Sequence, residues 1–156
     1  MKKLLCISTL FLMSLCASAQ YYVDLGLPSG TLWSNSNEKN WAGDYGYYSY
    51  DEAVNTFGGS PPTKEQWEEL LTKCTWSWTG NGYRVTGPNY NVIKLPASGC
   101  RKSNGSAGSV GSVGCYCSST RSFSGRPWYI YFDSGNRKLY DQYHSTGYTV
   151  RLVQNR

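Results

Sequence analysis

The stretch TKEQWEELLTKCTWSWTGNGYRVTGPNYNVIKLP, residues 63–96, carries both of the periods on which a reading of the fold turns. Thr63 followed by Gln66 makes a capping box, and Glu65 stands in the first turn, where the helix macrodipole favours an acid. Trp67, Leu70, Leu71 and Cys74 recur at i, i+3, i+4 and i+7, which predicts a helix over 63–74 with Cys74 on its buried stripe. Past Cys74 the period drops to two. Tyr83 and Val85 flank Arg84, and Val92 and Lys94 flank Ile93, so two strands are expected. Gly80-Asn81-Gly82 and Gly87-Pro88-Asn89 supply the turns around them.

Working outward, Tyr22-Val23-Asp24-Leu25 and Thr31-Leu32-Trp33 read as short strands about the turn Gly26-Leu27-Pro28-Ser29-Gly30. Residues 35–50 are polar and aromatic without a period and are expected to form an ordered loop. Residues 51–59, DEAVNTFGG, suit a short helix that Asp51 can cap and Gly58 can stop. The run SNGSAGSVGSVG, 103–114, reads as a flexible loop, too short to link two domains. Further strands are expected where Trp128, Ile130 and Phe132 alternate with Tyr129 and Tyr131, and where Tyr148, Val150 and Leu152 alternate with Thr149, Arg151 and Val153. Ile130 and Phe132 would face the core, leaving Tyr129 and Tyr131 outside it.

The N-terminus, MKKLLCISTLFLMSLCASAQ, has the order of a secretory signal peptide: two lysines, an apolar run, and the small-x-small pattern Ala17-Ser18-Ala19. The apolar run is shorter than the ~20 residues a transmembrane helix needs. Acylation at Cys16 would want a small residue before it, and Leu15 stands there. Export across the inner membrane with cleavage before Gln20 is therefore expected, to the periplasm, the cell surface or the medium. Loss of residues 1–19 removes Lys2 and Lys3 and lowers the formal charge from +5 to +3. It also leaves four cysteines: Cys74, Cys100, Cys115 and Cys117. The remaining length suits one domain, 20–156. So small a charge is no nucleic-acid footprint. All 14 tyrosines and all 6 tryptophans lie beyond residue 19, with 17 glycines, so short strands, many turns and amphipathic rings at the surface are expected.

YVDLGLPSGTLW, PTKEQWEELLTKCTWSW, GYRVTGPNYNVIKLPASG and the closing GCYCSST, YIYFDSGN and GYTVRLV together resemble the FISUMP (Fibrobacter succinogenes major paralogous) domain. The resemblance extends over nearly all of 21–153. It implies an α+β, C-type-lectin-like fold related to the formylglycine-generating-enzyme domain, with two helices packed on a small twisted antiparallel sheet and long loops. Members are exported bacterial proteins mostly without assigned activity, so the likeness implies fold more than function. Where the pattern usually carries aromatics this chain has Cys115 and Cys117, and Cys100 stands where tyrosine is frequent.

Cys-x-Cys at 115–117 has neither the paired spacing of a structural zinc site nor the Cys-x-x-Cys of a redox helix. On a strand the two would share a side about 6.6 Å apart, near the upper limit for bridging each other. One of them could instead join Cys100; otherwise they are small apolar substitutes for rings. His144, the only histidine, lies in a turn-like DQYHSTG, and Asp141 and Ser145 beside it form no recognisable triad. No catalytic residue, metal or cofactor is expected. What remains is a surface rich in the residues of binding hot spots: Arg121, Arg126, Tyr129, Tyr131, Tyr140, Asp141, Tyr143 and His144. The expected function is a non-catalytic module that binds a protein or glycan at a cell surface. The alternative is an enzyme on the same fold, a cysteine/copper oxidase or a glycan hydrolase. Some C-type-lectin-like proteins are varied by diversity-generating retroelements that mutate adenines. Cys115, Cys117, Tyr129, Tyr140, Asp141, Tyr143 and His144 are all reachable from asparagine codons in that way.

Protein recovered from its exporting host is expected to begin at Gln20 with a cyclised amino terminus, which intact-mass measurement checks. A diacylglycerol adduct on Cys16 would overturn the assignment.

Overall fold

The computed structural model describes residues 20–39, 46–141 and 147–156. The expected leader, residues 40–45 of the 35–50 loop, and Tyr143 and His144 lie outside the described residues. The described chain is mixed α+β. In order it has strands β1 (Tyr22–Asp24), β2 (Leu32–Asn37) and β3 (Tyr47–Tyr48), helices α1 (Tyr50–Phe57) and α2 (Lys64–Lys73), and strands β4 (Thr75–Trp78), β5 (Gly82–Thr86), β6 (Val92–Pro96), β7 (Cys100–Arg101), β8 (Ala107–Gly108), β9 (Gly114–Arg121), β10 (Pro127–Phe132), β11 (Arg137–Tyr140), β12 (Tyr148–Thr149) and β13 (Arg151–Gln154). No described helix is long and apolar enough to cross a membrane.

Both helices begin on closed capping boxes. Thr63 Oγ1 accepts from the Gln66 N–H while the Gln66 side chain accepts from the Thr63 N–H, as the sequence predicts. At α1 the cap is Ser49, two residues earlier than the expected Asp51, with Glu52 closing the box. Burial, the Ser49 hydrogen bonds and Arg101 act on Glu52, and the hydrogen bonds from Ser49 dominate, lowering its pKa. Cys74 is the C-cap of α2, already in extended conformation, so it is half-buried at the edge of the core rather than beneath the helix.

The strands form several small sheets in place of the single one expected: β1-β2-β13, β11-β10-β9-β12-β3, β4-β5-β6 and the hairpin β7-β8. All pairings are antiparallel except β9 with β12, which run parallel through Thr149 and Tyr116. β4 went unread in the sequence, although Trp76 and Trp78 alternate there; they pair with Val85 and Tyr83 of β5. Part of the Gly/Ser stretch also takes regular form, as the second strand of the β7-β8 hairpin.

The five-stranded sheet is buried on both faces, and this corrects the expected orientation of the C-terminal rings. One face carries Tyr116, Ile130 and Phe132 into a core with Trp33, Trp67, Leu70, Val85 and Leu95. Trp33 and Trp67 meet edge to face at 4.9 Å between centroids, and Tyr116 stacks on Phe132 at 5.6 Å. The other face carries Cys115, Cys117 and Tyr129 into a second core with Ala53 of α1, Tyr148 and Val150. Tyr129 is only 1 % exposed. Alternation along β10 was expected to separate core from solvent; here it separates two cores, because α1 covers the side that the tyrosines occupy.

Truncating either face should therefore cost comparable stability. Phe132→Ala and Tyr129→Ala are each expected to lose about 3–5 kcal/mol in urea denaturation. A Tyr129→Ala chain that unfolds at the parent's midpoint would place that ring outside the core.

Candidate functional site

The hairpin of β9 and β10 ends in a turn, SFSG, held by hydrogen bonds among its own residues and the flanking arginines. The Ser122 N–H donates to Arg126 O at 2.7 Å, and the Gly125 N–H to Ser122 O at 2.8 Å. Arg121 Nη1 donates to Gly125 O at 2.7 Å, Arg126 Nε to Ser124 Oγ at 3.0 Å, and the Ser122 and Ser124 hydroxyls lie 2.9 Å apart. Gly125 has φ +78°, where a side chain would be strained. Phe123, at the tip of this turn, is 110 % exposed.

The base of the hairpin is gripped by the starts of both helices. Arg121 Nη2 reaches Asp51 Oδ1 at 2.7 Å, and its guanidinium lies 4.1 Å over the Tyr50 ring. The Tyr50 hydroxyl donates to Ser119 O at 2.7 Å. From α2, the Lys64 N–H donates to Thr120 Oγ1 at 3.0 Å, and the Ser119 N–H donates to Pro62 O at 2.9 Å. The Lys64 ammonium sits 5.0 Å over the half-buried Trp128 ring and pairs with Glu68 at 2.8 Å. Two of the three local cations are thus neutralised. Arg126 is exposed and has no carboxylate partner among the described residues.

The expected site residues divide into three groups. Arg121 and Arg126 flank the tip. Tyr131, Tyr140 and Asp141, all half-buried, stand at the rim of the second core; five residues of strand, roughly 16 Å, separate Arg126 from Tyr131. Tyr140 stacks on Tyr129 at 5.8 Å and meets Tyr131 edge-on at 6.2 Å. Burial raises the Tyr131 phenol, with the Asp133 carboxylate adding to it. Tyr129 belongs to the core and cannot touch a ligand. Cys115 and Cys117, also buried, likewise offer nothing to a partner, so of the residues reachable from asparagine codons only Tyr140 and Asp141 are described and accessible. Asp133 accepts from the Gly135 and Asn136 N–H groups, both at 2.8 Å, and so closes the β10–β11 turn. Phe123 and Lys64 were missed in the sequence. An aromatic inside a Ser/Gly turn between two arginines was the available signal.

Elsewhere, two open hollows of about 390 and 380 Å³ lie against β5 and β6 and share Lys94 in their walls. Among the described residues no group of three or more His, Cys, Asp and Glu side chains could hold a metal ion. Comparison with protein-family models, with curated proteins and with solved structures finds no match.

Burial sets the remaining thiols. It pushes Cys117 up to about 12 and Cys74 up to about 11, from an ordinary 9.0, with Glu69 adding to the latter. A raised folded-state pKa gives stability that is complete below the unfolded value and is lost as pH rises toward the folded one. Through these two thiols the urea midpoint should therefore fall progressively above about pH 9. Cys117→Ala should flatten that fall. A parent midpoint that is constant up to about pH 10.5 would contradict the burial of these groups.

Proposed function

We propose that the chain is an exported binding module of C-type-lectin-like architecture, spanning 20–156 and related to the FISUMP domain, which recognises a protein or glycan through the tip of the β9–β10 hairpin. The observation that carries this reading is the fully exposed Phe123 on a turn held by two backbone hydrogen bonds of its own. A turn whose backbone is already held loses little freedom on binding, and preorganisation of this kind lowers the cost of association. Burying a phenylalanine side chain is worth about 1.5–3 kcal/mol, the size of a single hot spot. Arg126 next to it offers a planar pair of donors to a carboxylate, and Trp128 with Lys64 extends the surface along the hairpin. Tyr131, Tyr140 and Asp141 would contact only a partner broad enough to reach the rim as well. Catalysis has no part in the proposal.

A labelled full chain screened on a glycan array and on intact cells supplies the ligand. Phe123→Ala should leave the urea midpoint within about 0.5 kcal/mol of the parent and weaken binding about 30-fold, or about 2 kcal/mol. Arg126→Ala should act in the same direction. Parent-like affinity in both variants would overturn the tip as the site. Loss of binding in Tyr140→Ala alone would move recognition to the rim.

A further inference from the structure

Cys100 and Cys115 are brought together by two glycines. Gly99 and Gly114 form a parallel bridge, with the Gly99 N–H donating to Val113 O at 2.7 Å. A Cβ at Gly99 would lie 2.2 Å from Gly108 O, and one at Gly114 would lie 2.1 Å from the Phe132 ring, so only glycine permits this approach. Each cysteine is the next residue along its chain. Their sulfurs are 3.0 Å apart, with the Cys115 S–H donating to Cys100 Sγ. Cys117 shares the cluster, but its thiol donates to Ser118 O at 3.3 Å and it lies two residues farther along β9.

We infer that Cys100 and Cys115 are a redox-active pair that closes into a disulfide, fastening the two ends of the Gly/Ser loop between them, while Cys74 and Cys117 stay reduced. Cys100 is the attacking thiol. It is 9 % exposed whereas Cys115 is fully enclosed, so an external disulfide reaches only Cys100. The hydrogen bond from Cys115 holds the Cys100 thiol below its ordinary range, and the Lys102 ammonium acts in the same direction. In the first step the Cys100 thiolate attacks one sulfur of an external disulfide, such as oxidised glutathione or an exported thiol–disulfide oxidoreductase, and one thiol leaves. In the second, Cys115 gives up its proton and attacks Cys100 Sγ, expelling the other thiol. Two protein thiols are oxidised and one external disulfide is reduced to two thiols. The enclosed loop is of the length at which a crosslink removes substantial freedom from the unfolded chain. This inference is independent of the hairpin tip.

The test equilibrates the full chain in buffers of oxidised and reduced glutathione, quenches with acid, alkylates under denaturing conditions and maps the peptides. The expected map links Cys100 to Cys115 and leaves Cys74 and Cys117 alkylated. The oxidised protein should melt on the order of 10 °C above the same protein held in excess dithiothreitol, a comparison that needs no substitution. In a Cys115→Ser chain the reaction should stop at glutathionylated Cys100. Alkylation of both Cys100 and Cys115 under oxidising conditions, or a bridge from either to Cys117, would overturn the pairing. Glutathionylation of Cys115 in a Cys100→Ser chain would overturn the assigned order of attack.

Discussion

A buried guanidinium ties the sheets of this protein together. Arg151, 1 % exposed, donates through Nη1 to Ser34 O at 2.8 Å and through Nη2 to Lys94 O at 2.6 Å. Those carbonyls belong to β2 and β6. The Tyr116 hydroxyl of β9 lies in the same knot, donating to Pro96 O at 2.7 Å and accepting from Asn37 Nδ2 at 2.9 Å. Burial raises the Tyr116 phenol, and the Arg151 charge opposes that. Removing a charged group from water costs several kcal/mol unless its donors are matched, so this residue tolerates few arrangements of the strands around it. Apolar burial is non-directional and would accept other registers. The knot is directional, and it fixes three of the four sheets relative to one another.

Much of the scaffold was legible because its signals are local. The capping box at Thr63, the stripe Trp67–Leu70 and the turn at Gly26–Gly30 each depend on residues within a few positions of one another. The Ser49 cap was not distinguishable from Asp51, since both side chains can cap and the choice depends on where the preceding strand delivers the chain. Arg151 was read as one polar member of an alternating strand. Nothing in residues 148–153 announces that backbone carbonyls of β2 and β6 receive its guanidinium. The same failure produced the misreading of Tyr129: tyrosine is amphipathic, and period two says which residues share a face without saying what covers that face.

The candidate site was half legible for a related reason. Arg121 and Arg126 could be placed at the surface from charge alone. That Arg121 is spent holding the hairpin against α1, while Arg126 remains available, follows from the position of Asp51, 70 residues away in the chain. Phe123 could be seen as an aromatic residue in a turn, but turns often fold a ring back onto a strand. Here the ring instead stands fully exposed.

Because β9 lends side chains to both cores, pairs with β10 and β12, and stands beside the polar knot, it has no way to open on its own. Amide protons along Gly114–Ser119 should exchange with solvent only through global unfolding, whereas those of the tip, bonded solely within their own turn, exchange by local opening. The molecule is thus one cooperative body carrying a small, energetically insulated appendage. The chemistry of residues 122–124 is accordingly open to replacement, by evolution or by design, at almost no cost to the body beneath.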